Sequence, residues 1–310
     1  MQKQKINVPV VLIIFNRPHL VEKQMEQLKR IQPPKLFIIS DGARINKECE
    51  EELVHESRRI AEAVSWECVI EKIYAEYNMG CDDRIVSGLN SVFSMTEEAI
   101  ILEDDCLPND SFFVYCQEML YRYKNNKDIM YISGSKWAAK YPMKYSYGFS
   151  YNTGTWGWAT WSRAWSEWHW DIKEWEEKKW DWLKGVYSYK FRKNWIRDVE
   201  FYIKKGKIPW DYVWRFCVGK RMSIFPSVNF IKNIGFGSDA THTTEEDYGY
   251  DSRTYELERI LHPLKIAPDR GYPRAVEKQY RVPILYRLKR KMKKIEIWFK
   301  QVINVIRRHS

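Results

Sequence analysis

The chain contains no CxxC pair, no long apolar run and no glycine-rich loop behind its first apolar segment. Its six cysteines, Cys49, Cys68, Cys81, Cys106, Cys116 and Cys217, are scattered singly, and no secretory signal is expected ahead of them. Free thiols in a reducing compartment are therefore expected rather than a disulfide framework. The longest purely apolar run, Val10 to Phe15, is too short to span a bilayer or to form a secretory h-region, so the expected location is the cytosol. Acids are almost missing from one place only. Residues 281–310 hold ten Lys or Arg against the single acid Glu296 and supply +9 of the formal +10, leaving the other 280 residues nearly neutral. That distribution argues against a uniformly basic nucleic-acid binder and for a local function of the tail, and no familiar nucleic-acid motif is present.

What the chain does have is 310 residues with 45% apolar content, enough to bury one large core or two smaller ones. The organising stretch is Ala99 to Phe113. Ala99-Ile100-Ile101-Leu102 reads as a buried strand that ends abruptly in Glu103-Asp104-Asp105. In open α/β sheets ligands bind at the carboxyl ends of strands, and adjacent acids there suit a divalent cation held by hard oxygen ligands; otherwise such a charge run simply faces water.

Upstream, the pattern predicts strand, helix, strand, helix. Val10 to Phe15 is the first strand, and Asn16-Arg17-Pro18 opens a helix carrying Leu20, Val21, Met25 and Leu28 on one face. Leu36 to Ile39 is the second strand, closed by Ser40-Asp41-Gly42. Asp41 suits either a ribose- or base-holding acid or a plain Asp-Gly turn. A charged helix near 48–64, a strand near 68–74 and a helix from Ile85 to Met95 follow. This order predicts a parallel, doubly wound sheet, in which Arg17 and Arg84 could each place a guanidinium on phosphate or lie on the surface.

Beyond the acids, Ser111 to Tyr123 is an expected helix and Ile129 to Ser133 an expected strand. The composition then shifts, with nine of the fifteen tryptophans between Tyr151 and Trp182. Trp158, Trp161, Trp165 and Trp168 fall at helical spacing, which makes part of the set core. The remaining indoles suit stacking on sugars or apolar acceptors. Asp211 lies among Trp210, Tyr212, Val213 and Trp214. Those surroundings fit either a carboxylate tuned for proton abstraction or the N-cap of a helix over 212–220. The Gly237-to-His242 stretch reads as a loop able to close over a ligand, with His242 a candidate metal or phosphate contact.

These residues together resemble a glycosyltransferase of the nucleotide-sugar-binding fold called GT-A. The chain is most similar to the Golgi N-acetylglucosaminyltransferase family that initiates complex N-glycans, over roughly Val8 to His242, in the manner of a bacterial relative. Asn16-Arg17 resembles that family's first-strand pair, implied to contact the donor nucleotide, and Asp41 its nucleobase-binding acid. Glu103-Asp104-Asp105 matches its Glu-Asp-Asp motif, which implies Asp105 as metal ligand. Gly157-Trp158 resembles its acceptor-side Gly-Trp. Trp210-Asp211 looks like its Trp-Asp-Asp-Trp, implying Asp211 as catalytic base, although Trp-Asp-Tyr-Val-Trp here has one acid where the family has two.

The resemblance implies an inverting, Mn²⁺- or Mg²⁺-dependent transfer of a sugar from a nucleotide-diphosphate donor, UDP-linked by preference, to a hydroxyl of a glycan or lipid-linked acceptor in cell-surface polysaccharide synthesis. Residues 1–135 would bind the nucleotide sugar, 136–250 would carry the acceptor side and the base, and 251–280 would be a linker. Residues 281–310 pattern as a basic amphipathic helix suited to an anionic membrane surface, placing the enzyme peripherally on the inner face of the cytoplasmic membrane. Two rivals remain: a catalytically silent carbohydrate-binding protein, and a sugar nucleotidyltransferase. The second would carry a glycine-rich basic loop where this chain reads Asn16-Arg17-Pro18-His19.

Overall fold

The computed structural model describes residues 5–151, 154–219, 221–235 and 253–279. His242 and the basic segment 281–310 lie outside the described residues.

The first half alternates as its apolar pattern demands. Strand β1 (Val10–Ile14) is buried on both faces, and helix α1 (Pro18–Ile31) follows with Pro18 in its first turn. Proline fits there because its missing N–H would have no intrahelical partner. Leu20, Val21, Met25 and Leu28 form the buried face of α1, each contributing about 1.5–3 kcal/mol of apolar burial. Gln32, in the left-handed region at φ 56°, ends the helix ahead of Pro33-Pro34. Then come β2 (Lys35–Ser40), α2 (Glu50–Glu62), β3 (Val69–Tyr74), α3 (Cys81–Met95), β4 (Glu98–Glu103), β5 (Cys106–Pro108), α4 (Asp110–Tyr123) and β6 (Ile129–Ser133).

The second half departs from a regular alternation. Its elements are β7 (Tyr147–Ser150), β8 (Trp158–Trp161), α5 (Ser162–Trp165), α6 (Ile172–Lys178), α7 (Tyr189–Lys204), α8 (Trp210–Val218), β9 (Met222–Pro226), β10 (Ile231–Asn233) and α9 (Gly271–Gln279).

One eight-stranded sheet runs through both halves in the order β3-β2-β1-β4-β8-β6-β9-β7. The pairings β1–β2, β2–β3, β1–β4 and β6–β9 are parallel, while β8 lies antiparallel between β4 and β6, and β7 antiparallel on β9. The sheet is therefore mixed and mostly parallel. A separate two-stranded ribbon pairs β5 with β10.

The helical spacing read into Trp158, Trp161 and Trp165 is corrected here, because Trp158 and Trp161 sit on strand β8. Three positions apart on a strand, they point to opposite faces. Trp158 packs among Tyr131, Trp165, Trp210 and Trp214, whereas the Trp161 indole donates to the Leu120 carbonyl on α4. A second core joins α6, α7 and α8, where Trp182 stacks on Trp195 at 3.7 Å between centroids.

The expected linker at 251–280 is also corrected. Ser146 exchanges hydrogen bonds with Leu261, Asp269 N–H donates to Phe149 O at 2.7 Å, and Tyr272 of α9 stacks on Phe225 at 3.6 Å. The described part of that segment is built onto the β7–β9 side of the sheet. None of the helices among the described residues is long and apolar enough to cross a membrane.

Candidate active site

The parallel strands β1, β2 and β4 end together, and a cavity of about 250 Å³ opens at their carboxyl ends. Its wall brings together Asn16, Arg17, Asp41, Arg84, Glu103, Asp104 and Asp105, residues picked out separately along the sequence.

The turn after β4 is fixed from three sides. Asp104 N–H donates to Ile13 O at 3.0 Å, Gln24 of α1 donates its amide to the Glu103 and Asp104 carbonyls, and Asp105 O accepts from Ile234 N–H at 2.8 Å. Arg17, at the entrance to α1, is the cation of the cluster. Its Nε donates to Asp104 Oδ2 at 3.2 Å, and its Nη2 reaches both Asp104 Oδ1 and Asp105 Oδ2, the latter at 3.1 Å. Three carboxylates thus face one guanidinium. Burial opposes charge on Arg17, but Asp104 and Asp105 beside it hold its proton more firmly than in water. Burial pushes Asp104 up to about 6 against the pull of Arg17, and burial together with Asp105 and Asp104 raises Glu103 well above the usual carboxylate range. Like charges crowded out of water have this effect, and a bound cation relieves it.

Asp41 and Arg84 are drawn into the framework. The Asp41 carboxylate accepts from the backbone N–H groups of Gly42, Met79 and Gly80 and from the Asn78 amide, all within 3.1 Å, so it holds the loop that opens α3. The buried Arg84 donates to Ile73 O at 2.8 Å and to Ser87, and burial lowers its proton affinity. Asn16 donates to Glu50 at 2.9 Å, and Glu50 is gripped by Arg44, whose guanidinium lies 5.6 Å from the Phe15 ring and lines the cavity.

Asp211 stands in the first turn of α8, where Pro209, not Asp211, occupies the cap position. Burial raises its carboxyl above the ordinary aspartate range, and Asp82 adds to the effect. Trp210 N–H donates to Asp82 Oδ1 at 2.9 Å, which ties α8 to the first turn of α3 beside the cavity. The Cys81 thiol, raised mainly by burial, feels Glu103, Asp82, Asp211 and Asp104 together, so the base candidate is within electrostatic reach of the acidic cluster.

Trp158 and Trp210 do not offer free faces to an acceptor. They are 1% and 6% exposed and stack on each other at 5.9 Å. Gly157 is needed for the bend into β8: its φ is +61°, and a Cβ there would come within 2.4 Å of Ile231. Among the described residues the indole that reaches the cavity is Trp156, which nothing in the sequence separates from its neighbours. Arg44 and Gly235 were missed as well. A Cβ on Gly235 would come within 2.5 Å of Asp105 Oδ2, so only glycine lets the chain pass so close to this carboxylate.

A divalent cation fits this donor set in one way. Among the described residues no group of three His, Cys, Asp or Glu is arranged to cage a metal. The carboxylate oxygens of Asp105 and Glu103, the Glu103 side chain having no hydrogen-bond partner among the described residues, instead suit an ion held by one or two carboxylates and completed by phosphate oxygens and water.

No family profile and no curated protein matches the chain. Among solved structures, a UDP-glucose pyrophosphorylase complexed with UDP-glucose is similar over 48% of this chain and 59% of that one, at 10% identity and a TM-score of 0.26. An apo-UDP-glucose pyrophosphorylase is similar over 72% of this chain and 93% of that one, at 9% identity and a TM-score of 0.36. The chain thus spans less than two thirds of the first of these structures. Similarity this low assigns no activity, and the likeness to the N-acetylglucosaminyltransferases rests on the motifs alone.

Proposed function

We propose that this chain is an inverting, metal-dependent glycosyltransferase that takes a UDP-linked sugar and glycosylates a hydroxyl of a glycan or lipid-linked acceptor. The observation that supports it most is the Glu103-Asp104-Asp105 turn, with three carboxylates against one guanidinium at the carboxyl edge of a mostly parallel sheet. In this reading Asn16, Arg17 and Arg44 face the nucleotide and its diphosphate, while Asp41 and Arg84 keep the loop before α3 in place. Asp105 and Glu103 would hold Mn²⁺ or Mg²⁺, whose charge would offset that of the departing diphosphate.

Asp211, its proton affinity raised by burial, accepts the proton of the acceptor hydroxyl. The hydroxyl oxygen forms the new bond to the anomeric carbon as the bond to the diphosphate breaks. The Asp82–Trp210 hydrogen bond holds the base at a fixed offset from the donor cavity.

Calorimetric titration with UDP and UDP-sugars, with and without Mn²⁺, tests the reading on wild type and Asp105→Ala. Metal-dependent binding that disappears in the variant is the expected result. Binding indifferent to both metal and Asp105 would remove the carboxylate from the site. Formation of UTP and sugar 1-phosphate from UDP-sugar and pyrophosphate would instead identify a nucleotidyltransferase.

A further inference from the structure

A second and larger cavity, about 990 Å³, opens at the same edge of the sheet, beyond the carboxyl ends of β6 and β9. Its wall includes Lys136, Lys140, Arg253 and Lys278, and its described lining contains no acid. Lys136 is the informative residue. It is only 9% exposed, its Nζ donates to Tyr141 O at 2.8 Å, and no carboxylate pairs with it among the described residues. Burial accordingly lowers its proton affinity. A buried ammonium without a counter-charge is costly, and a bound anion removes that cost. The position is also suggestive. Trp137, between Lys136 and Ala138 of this wall, lies 5.1 Å from Trp156 of the acidic cavity, so the two cavities share a partition.

We infer that this basic cavity binds a phosphate or diphosphate group carried by the acceptor, with Lys136 as its inner contact and Lys140 and Lys278 at its mouth. The acceptor assignment rests on the glycosyl-transfer reading, whereas anion binding by the cavity does not. A phosphate-bearing acceptor held here would lie across the Trp137–Trp156 partition from the donor.

Calorimetry on the full chain with inorganic pyrophosphate and with farnesyl diphosphate tests it. Saturable binding should survive Asp105→Ala and saturating UDP with Mn²⁺, and should weaken about tenfold or more in Lys136→Met. Because Lys136 is buried and its loss could impair folding, Lys140→Gln/Lys278→Gln, at exposed positions, should also weaken binding severalfold and steepen no other transition. Farnesyl diphosphate binding well above pyrophosphate would point to a lipid-linked acceptor, and equal binding to a soluble phosphate-bearing one. Absence of binding, displacement by UDP, loss in Asp105→Ala, or indifference to both lysine variants would overturn the proposal. Failure of UDP and Mn²⁺ to bind, with pyrophosphate binding intact, would refute the glycosyl-transfer reading and the acceptor role while leaving the anion site standing.

Discussion

The two cavities on one sheet edge are opposites. The smaller, at β1, β2 and β4, sets three carboxylates against Arg17; the larger, at β6 and β9, has cations and no acid in its described wall. In the first, buried acids crowd around a single arginine, an arrangement that a bound cation would relieve. In the second, a lone buried ammonium calls for an anion. A single mixed sheet supplies both because its parallel strands all present their carboxyl ends on one side, with antiparallel β8 setting the two groups of strands apart.

The contrast can be broken most severely at Asp211. Asp211→Asn should lower kcat by about 10²–10⁴-fold while leaving UDP binding unchanged, as removal of a general base does. In wild type the acid limb of the pH–rate profile should fall as pH drops through the raised Asp211 value, since protonation removes the base, and that limb should vanish in the variant. A variant with wild-type turnover would leave the acidic cavity without a base.

Trp158→Ala addresses the aromatic core on which strand β8 packs. The ring is buried between Tyr131, Trp165, Trp210 and Trp214, so its loss should destabilise the fold by about 3–5 kcal/mol in denaturant titration. A stable variant with a raised acceptor KM would return Trp158 to the acceptor side.

Gly235→Ala is the finest test, since the added Cβ would displace Asp105 rather than remove it. The expected effect is a loss of metal-dependent UDP affinity of roughly severalfold, about 1 kcal/mol, with pyrophosphate binding in the basic cavity unchanged. Equal loss at both cavities would mean they are not independent.

Much of the first half was legible because each parallel strand is a short, continuous apolar run and each helix a repeating face, as in β1 and α1. The acids stood out for the same reason: they break such a run. The second half was harder to read. Trp158 and Trp161 share a spacing that suits a helix, and only pairing with β4, which sequence separation hides, makes them a strand. Residues 253–279 scatter their apolar positions without a regular period, yet Leu257 and Ile260 pack on the main core and Tyr272 and Val276 pack with Phe225. Asp41 was legible as an acid at a strand end but not as one saturated by Met79 and Gly80, because those donors arrive from a loop nearly forty positions later. The basic cavity left no motif at all, since Lys136, Arg253 and Lys278 are brought together only by the sheet.

The Trp137–Trp156 pair gives the molecule an optical consequence. Two indoles with ring centres 5.1 Å apart and planes inclined by 47° couple as excitons, and their near-ultraviolet circular dichroism depends on that inclination. Trp156 lines the smaller cavity and Trp137 is the chain neighbour of Lys136 in the larger, so a ligand that tilts either ring is expected to change this signal, and Trp156→Phe to abolish it.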